Sequence, residues 1–191
     1  MIWAVVLAAG ESKRMGRPKQ VLPYGTSTIL ETVLANVLAS PVDGTLVVLG
    51  SAADKVAPLL AKLPVETIVN PDFRSGMLSS VQRGIRALPA SARAALIFLG
   101  DQPAVGPETA ARVVAAYRAS GRGLVLPVHA GRGGHPLLVD LKFRAEIEGL
   151  SSGIGLRELL ARHPDDILRV EIEDPGVILD IDTPEDYHNR Q

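Results

Sequence analysis

Ile2 to Leu7 is an unbroken apolar run, Ile-Trp-Ala-Val-Val-Leu, closed by Ala8-Ala9-Gly10. A strand that is apolar at both odd and even positions must be covered on both faces, which is the condition of a parallel strand inside an α/β sheet. Comparable β-type runs recur at Thr45 to Leu49, Glu66 to Val69, Ala95 to Leu99 and Gly123 to Pro127, with amphipathic stretches between them. Thr28 to Leu38 sets Ile29, Leu30, Val33, Leu34, Val37 and Leu38 at the spacing of one buried helix face, and 52–63, 77–88 and 107–119 read similarly. The alternation predicts an α/β fold with a mostly parallel twisted sheet flanked by helices. With 191 residues and no linker, low-complexity tract or internal repeat, a single domain over residues 1–191 is expected.

After Pro127 the rhythm breaks. Gly131, Gly133 and Gly134 crowd a short span, and periodicity stays weak through Leu150. Ile154 to Arg162 reads as a helix, Ile167 to Ile172 alternates like a strand, and Thr183 to Asn189 reads as a short capped helix. Residues 1–127 are expected to bind one substrate and 128–191 to supply the acceptor side, although an irregular cap or dimer contact fits the second half equally well.

Charge excludes several classes. A net charge of −1 lacks the basic excess that broad nucleic-acid or anionic-membrane binding requires. The charge is unevenly spread, however: residues 10–20 carry four basic side chains against Glu11, while residues 165–186 carry nine acidic ones against Arg169. The chain has no cysteine, which removes disulfides and thiolate metal sites and suits a reducing cytoplasm. Its start lacks the basic n-region and cleavage site of a signal peptide, and no apolar run has the length of a membrane span, so a soluble protein is expected.

The basic cluster follows the first strand directly, in Leu7-Ala-Ala-Gly-Glu-Ser-Lys-Arg-Met-Gly-Arg-Pro-Lys19. Gly10 and Gly16 let backbone N–H groups approach anionic oxygens, and Lys13, Arg14, Arg17 and Lys19 supply positive charge, as a triphosphate requires. The spacing is that of neither a Walker loop nor a dinucleotide fingerprint. On charge alone, an exposed basic loop without special function is the other reading.

Two acidic segments complement it. In Leu96-Ile-Phe-Leu-Gly-Asp-Gln-Pro103, Asp101 sits just past a buried strand, where it can hold a metal over phosphates or simply cap the next turn. In Ile178-Leu-Asp-Ile-Asp-Thr-Pro-Glu-Asp-Tyr187, strand alternation would put Asp180 and Asp182 on one side, with Thr183 and Pro184 as N-cap and first helical residue. Glu185 and Asp186 then serve the positive end of that helix. Two carboxylates without histidine or cysteine nearby suit Mg²⁺ rather than zinc. Ser75, Gly76, Ser79 and Ser80 offer small polar groups to a base, with helix capping as their ordinary role, and His135 lies in a constrained Gly-Gly-His-Pro turn where a plain surface histidine is the alternative.

The basic loop resembles the nucleotide loop of the MobA-like nucleotidyltransferases, whose pattern Leu-Ala-Ala-Gly-x-Ser-x-Arg-Met-Gly-x-x-Lys it fits throughout. Gly-Asp-Gln-Pro, Arg-Ser-Gly-Met, Gly-His-Pro and the Asp-x-Asp-Thr-Pro-Glu-Asp-Tyr ending resemble further segments of that family, so the resemblance spans nearly the whole chain. It implies a glycosyltransferase-A-like, Rossmann-like fold in which Ala8, Ala9 and Gly10 belong to the nucleotide loop and Arg14 and Lys19 bind its phosphates. Asp101 and Asp182 would share Mg²⁺, Asp180 would support them, and Gly76 and Ser80 would contact the base. Ala8-Ala9-Gly10 leans toward CTP, because guanylyl-transferring relatives carry Ala-Gly-Gly. Gly-His-Pro resembles the molybdenum cofactor cytidylyltransferases and places His135 on the acceptor side. The implied reaction joins CTP and a molybdopterin-type cofactor, releases pyrophosphate and hands the product to a molybdoenzyme. Ser151 and Ser152 stand where relatives usually carry Gly-Asp, which leaves open another acceptor, such as methylerythritol phosphate or a sugar phosphate. A noncatalytic nucleotide-binding or cofactor-delivering module is the rival class.

Overall fold

The structure, a computed structural model, describes residues 1–151 and 155–190. Its elements run β1 (Ile2–Ala8), β2 (Pro23–Tyr24), β3 (Ser27–Thr28), α1 (Ile29–Leu38), β4 (Gly44–Leu49), α2 (Ala53–Leu60), β5 (Glu66–Val69), α3 (Met77–Ala87) and β6 (Ala94–Leu99). They continue with α4 (Pro107–Ser120), β7 (Leu124–His129), β8 (Arg132–Gly133), β9 (Leu137–Asp140), α5 (Arg144–Gly149), α6 (Leu156–Arg162), β10 (Ile167–Glu171) and α7 (Pro184–His188).

The main sheet has the order β10-β7-β9-β6-β1-β4-β5, with β8 paired to β7, while β2 and β3 form a separate ribbon. β1 lies parallel between β4 and β6, and β5 and β10 run parallel to β4 and β7. The alternation of β1 divides the core. Ile2, Ala4, Val6 and Ala8 pack with α1, α2 and α4 on one face, and Trp3 and Val5 pack with α3, α5 and α6 on the other. Both faces are therefore buried, as the apolar run requires, and the result is a single α/β domain with a mostly parallel sheet. α1 begins with a capping box, in which the Glu31 N–H donates to Thr28 Oγ1 (3.3 Å) and the Thr28 N–H donates to the Glu31 carboxylate (3.1 Å).

The second half departs from simple repetition in a definite way. β9 is antiparallel to both β6 and β7. β7 and β8 form a hairpin across Ala130 and Gly131, both with positive φ, the geometry of a primed turn. Val128 pairs with Gly133, whereas Val125, three residues earlier, pairs with Leu138, five residues later. The returning strand thus carries two residues in excess, and His135 lies in this bulge. The segment holding Asp180 and Asp182 forms no strand; its extended path is pinned by the Ile181 N–H donating to the Asp101 carbonyl (3.0 Å). Ser152 and Ile154, used above for an acceptor segment and a helix start, lie outside the described residues.

The end of β1 is held between two glycines. A methyl group on Gly50, which follows β4, would collide with the Ala9 carbonyl, and one on Gly100, which follows β6, would lie 2.9 Å from the Leu7 carbonyl oxygen. Gly50→Ala should therefore lower stability by about 1–3 kcal/mol through overpacking against backbone. Gly149→Ala, a change into open space, should not. Urea midpoints of the two variants at unchanged m test this.

Candidate active site

β1 and β6 run parallel and side by side, so the loops beyond their carboxyl ends adjoin, as ligand-binding loops do in open α/β sheets. The loop after β1 is fixed from beneath: Met15 and Leu22 are buried with Ile29, Ile181 and Tyr187 in a small apolar cluster of their own. The Tyr187 hydroxyl donates to the Pro23 carbonyl (2.6 Å). This cluster draws the C-terminal segment, with Asp182 next to Ile181, under the basic loop.

The charged groups then meet. The Lys19 ammonium donates to Asp101 Oδ2 and, at 2.8 Å, to Asp182 Oδ1, while the Arg14 guanidinium donates to Asp182 Oδ2 at 2.8 Å. Burial works against the Lys19 charge, but the two carboxylates outweigh it and hold its pKa above the ordinary lysine value. For Asp101 burial is the largest influence and raises its pKa in spite of Lys19. For Asp182 burial also pushes upward, yet Lys19 and Arg14 together bring it below the usual aspartate value.

Ala9, Gly10, Arg14, Lys19, Gly76, Ser80, Asp101, Asp180 and Asp182 line one cavity of about 490 Å³. Ser80 is buried and its hydroxyl accepts from the Asn70 amide at 3.0 Å; Gly76, at φ 100°, precedes the first turn of α3. Ala8 belongs to the core and is absent from the lining, though its carbonyl accepts from Gln20. The Ala9 methyl lies on the Gly50 side. Of the other cations, Lys13 lines the cavity and pairs with Glu11 (3.0 Å), whereas Arg17 is exposed and outside the lining. Ser79 caps no helix end: from the first turn of α3 its hydroxyl donates to the Asp72 and Gly76 carbonyls, whereas Asp186 completes a capping box with Thr183, the ordinary role expected of it.

His135 lines a second cavity, of about 630 Å³, that shares Met77, Leu99 and Asp180 with the first. Its other walls are largely apolar, among them Leu78, Val81 and Leu126, with Arg132 and Arg157 as cations. Ser151 is exposed and lines neither cavity.

Two glutamines escaped the sequence reading. Gln20 is buried and its amide donates to the Ala8 and Gly10 carbonyls (3.2 and 3.3 Å), which shapes the loop's entry. Gln102 donates to Asp180 Oδ1 (2.6 Å) and the Val177 carbonyl (3.4 Å), tying the end of β6 to the C-terminal segment. The only signal for Gln102 was its place beside Asp101; for Gln20 there was none.

Asp101 and Asp182 present oxygens to one point, where the Lys19 ammonium lies. Two carboxylates converging on one cationic centre are a donor set suited to a hard divalent ion. No cluster of three or more His, Cys, Asp or Glu with metal-binding spacing occurs among the described residues, so such an ion would draw its remaining ligands from phosphate oxygens and water.

A cationic loop facing two carboxylates beyond parallel strands, with a second cavity adjoining, is an arrangement suited to nucleotidyl transfer. The chain belongs to the MobA-like NTP transferase family, whose domain model matches residues 4–167. It is 31% identical over 184 residues to the molybdenum cofactor cytidylyltransferase of Escherichia coli K12, covering 96% of this chain and 92% of that one. It is also 31% identical over 195 residues to the nicotine blue oxidoreductase of Paenarthrobacter nicotinovorans, covering 98% and 95%. A crystal structure from Mycobacterium tuberculosis H37Rv superposes with a TM-score of 0.88 at 30% identity, over 98% of this chain and 95% of that one. A manganese complex from the same organism gives 0.82 at 28% identity, over 98% and 96%. Among the described residues no helix is long and apolar enough to cross a membrane.

Burial lowers the His135 pKa to about 4 from an ordinary 6.5, although Asp101 opposes the shift. The unfolded chain then binds more protons between those values, so this histidine's contribution to stability is present above pH 6.5 and is lost as pH falls toward 4. The loss amounts to at most about 3 kcal/mol. The Tm of His135→Gln should accordingly fall less than that of the unaltered protein between pH 7 and pH 4.

Proposed function

We propose that this chain transfers CMP from CTP to a molybdopterin-type molybdenum cofactor and releases pyrophosphate. The observation that carries the proposal is the pair of adjoining cavities, one with the cation loop and carboxylates and the other with His135, which meet at Asp180. The 31% identity with a molybdenum cofactor cytidylyltransferase over nearly the whole of both chains supports the choice of substrates. In this reading residues 1–127 form most of the nucleotide half, and residues 128–191 bring the acceptor wall and the second metal-binding carboxylate.

An oxygen of the acceptor's phosphate attacks the α-phosphorus of CTP, the bond to the β-phosphate oxygen breaks, and the electron pair leaves with pyrophosphate. Arg14 and Lys19 face the departing phosphates and stabilise charge that grows as they leave. Gly76 and Ser80 sit where the base enters, and His135, neutral at pH 7, orients the acceptor. A Mg²⁺ held by Asp101 and Asp182 would supply charge neutralisation on the triphosphate oxygens. No side-chain nucleophile is needed, because positioning and electrostatics carry phosphoryl transfer. The protein works in the cytoplasm and hands its product to a molybdoenzyme.

The equal identity with a protein named nicotine blue oxidoreductase favours a second reading, reduction of a dye of that class in this cleft by an external hydride donor. Purified protein incubated with Mg²⁺, molybdopterin cofactor and each NTP, and in a parallel mixture with reduced nicotinamide nucleotide and nicotine blue, separates the two. A cytosine dinucleotide found by mass spectrometry with CTP, and far less product with GTP, supports transfer. Turnover of reduced nicotinamide nucleotide without pyrophosphate release supports the rival.

Asp101→Asn and Asp182→Asn should each lower kcat by a factor of about a hundred or more with the fold intact, since each removes an anionic ligand. Full activity of either at saturating Mg²⁺ rejects that ligand. Ala9→Gly should relax the preference for CTP by loosening the loop against Gly50, and an unchanged CTP/GTP ratio of kcat/KM counts against it. His135→Ala should raise the acceptor KM and leave CTP affinity intact.

A further inference from the structure

The four charged side chains assigned to metal and triphosphate are already spent on one another. Lys19 joins Asp101 and Asp182, and Arg14 holds the other oxygen of Asp182, so two positive charges face two negative ones within one network. The Lys19 and Asp101 side chains retain only 12% and 18% of their exposure, so water compensates poorly for a partner removed.

From this arrangement we infer that the Lys19 ammonium is a built-in occupant of the divalent-ion position, and that the site takes up metal and triphosphate together rather than one at a time. The inference rests on the nucleotidyl-transfer reading and specifies the form in which that site accepts its substrate.

A divalent ion arriving alone must displace Lys19 from both carboxylates and Arg14 from Asp182. It leaves two cations facing a third positive species. A triphosphate arriving alone can recruit Lys19 and Arg14 only by uncovering Asp101 and Asp182, whose carboxylates then face the anion. Either partial exchange leaves charges unpaired in a cleft of lowered dielectric. A metal–triphosphate complex gives the carboxylates a cation and the cations an anion in one step, so every charge is again paired. Binding of the two components is therefore positively coupled, and the coupling is reciprocal.

The test uses Mn²⁺ as the probe, with free ion read by electron paramagnetic resonance and no nucleotide present. The unaltered protein should bind Mn²⁺ weakly. Lys19→Met, which keeps the aliphatic stem and removes the charge, should bind it at least tenfold more tightly, and Mn²⁺ should raise the Tm of this variant more than that of the unaltered protein. Adding Asp182→Asn to Lys19→Met should abolish the gain. In equilibrium dialysis, labelled CTP should bind the unaltered protein at least tenfold more tightly with Mn²⁺ than with EDTA. Lys19→Met that is folded by circular dichroism yet binds Mn²⁺ no better than the unaltered protein overturns the inference, as does CTP binding indifferent to EDTA. A Mn²⁺ gain in Lys19→Met, with no CTP binding by the unaltered protein under any condition, sinks the nucleotide reading instead and leaves the lysine–metal exchange standing.

Discussion

One ammonium group joins three segments that chain order keeps far apart. Lys19 follows the first strand, Asp101 follows β6 and Asp182 lies near the C-terminus, yet one Nζ contacts both carboxylates. An isolated carboxylate as enclosed as Asp101 would cost several kcal/mol of desolvation, so the cation is a condition of the site rather than an accessory. The arrangement also explains why the loop cannot be a loose basic tail. Met15 and Leu22 anchor it in an apolar cluster with Ile181 and Tyr187, and those anchors aim Lys19 and Arg14 at the acids.

Much of this was legible in the sequence because it depends on local signals. The apolar run of β1 already required cover on both faces, and the structure supplies it by sending alternate residues into two separate clusters. Thr183, Pro184 and Asp186 announced their helix start through chemistry that acts over three residues. Asp180 and Asp182 both reach the cavity, as alternation suggested, but the extended path that aims them is held by one hydrogen bond to Asp101 and by Gln102 rather than by a strand ladder.

What stayed hidden depends on distant partners. β9 is four residues long, and nothing in Leu137 to Asp140 encodes that it runs antiparallel between β6 and β7. Its direction comes from the hairpin at Ala130 and Gly131, where positive φ at an alanine gives no warning in sequence. The burial of Gln20 was equally unreadable, since a glutamine beside Lys19 looks like surface until the Ala8 and Gly10 carbonyls close over it.

The irregular second half follows from the regular first. Parallel strands deliver their loops to one end of the sheet, which suits a nucleotide but provides a single row of loops. A second cavity beside the first needs a wall that returns along the sheet, and β8 and β9 provide it by reversing direction. A plain hairpin would alternate its side chains between the faces and offer no extra reach. The two surplus residues break that alternation and leave His135 in the wall of the second cavity, while Gly134 supplies the clearance: a methyl there would collide with the Val177 carbonyl. That carbonyl accepts from both the His135 N–H (2.9 Å) and the Gln102 amide (3.4 Å). Through Gln102 and Asp180, the wall that holds His135 and the carboxylate end of the first cavity are built on one hydrogen-bonded frame.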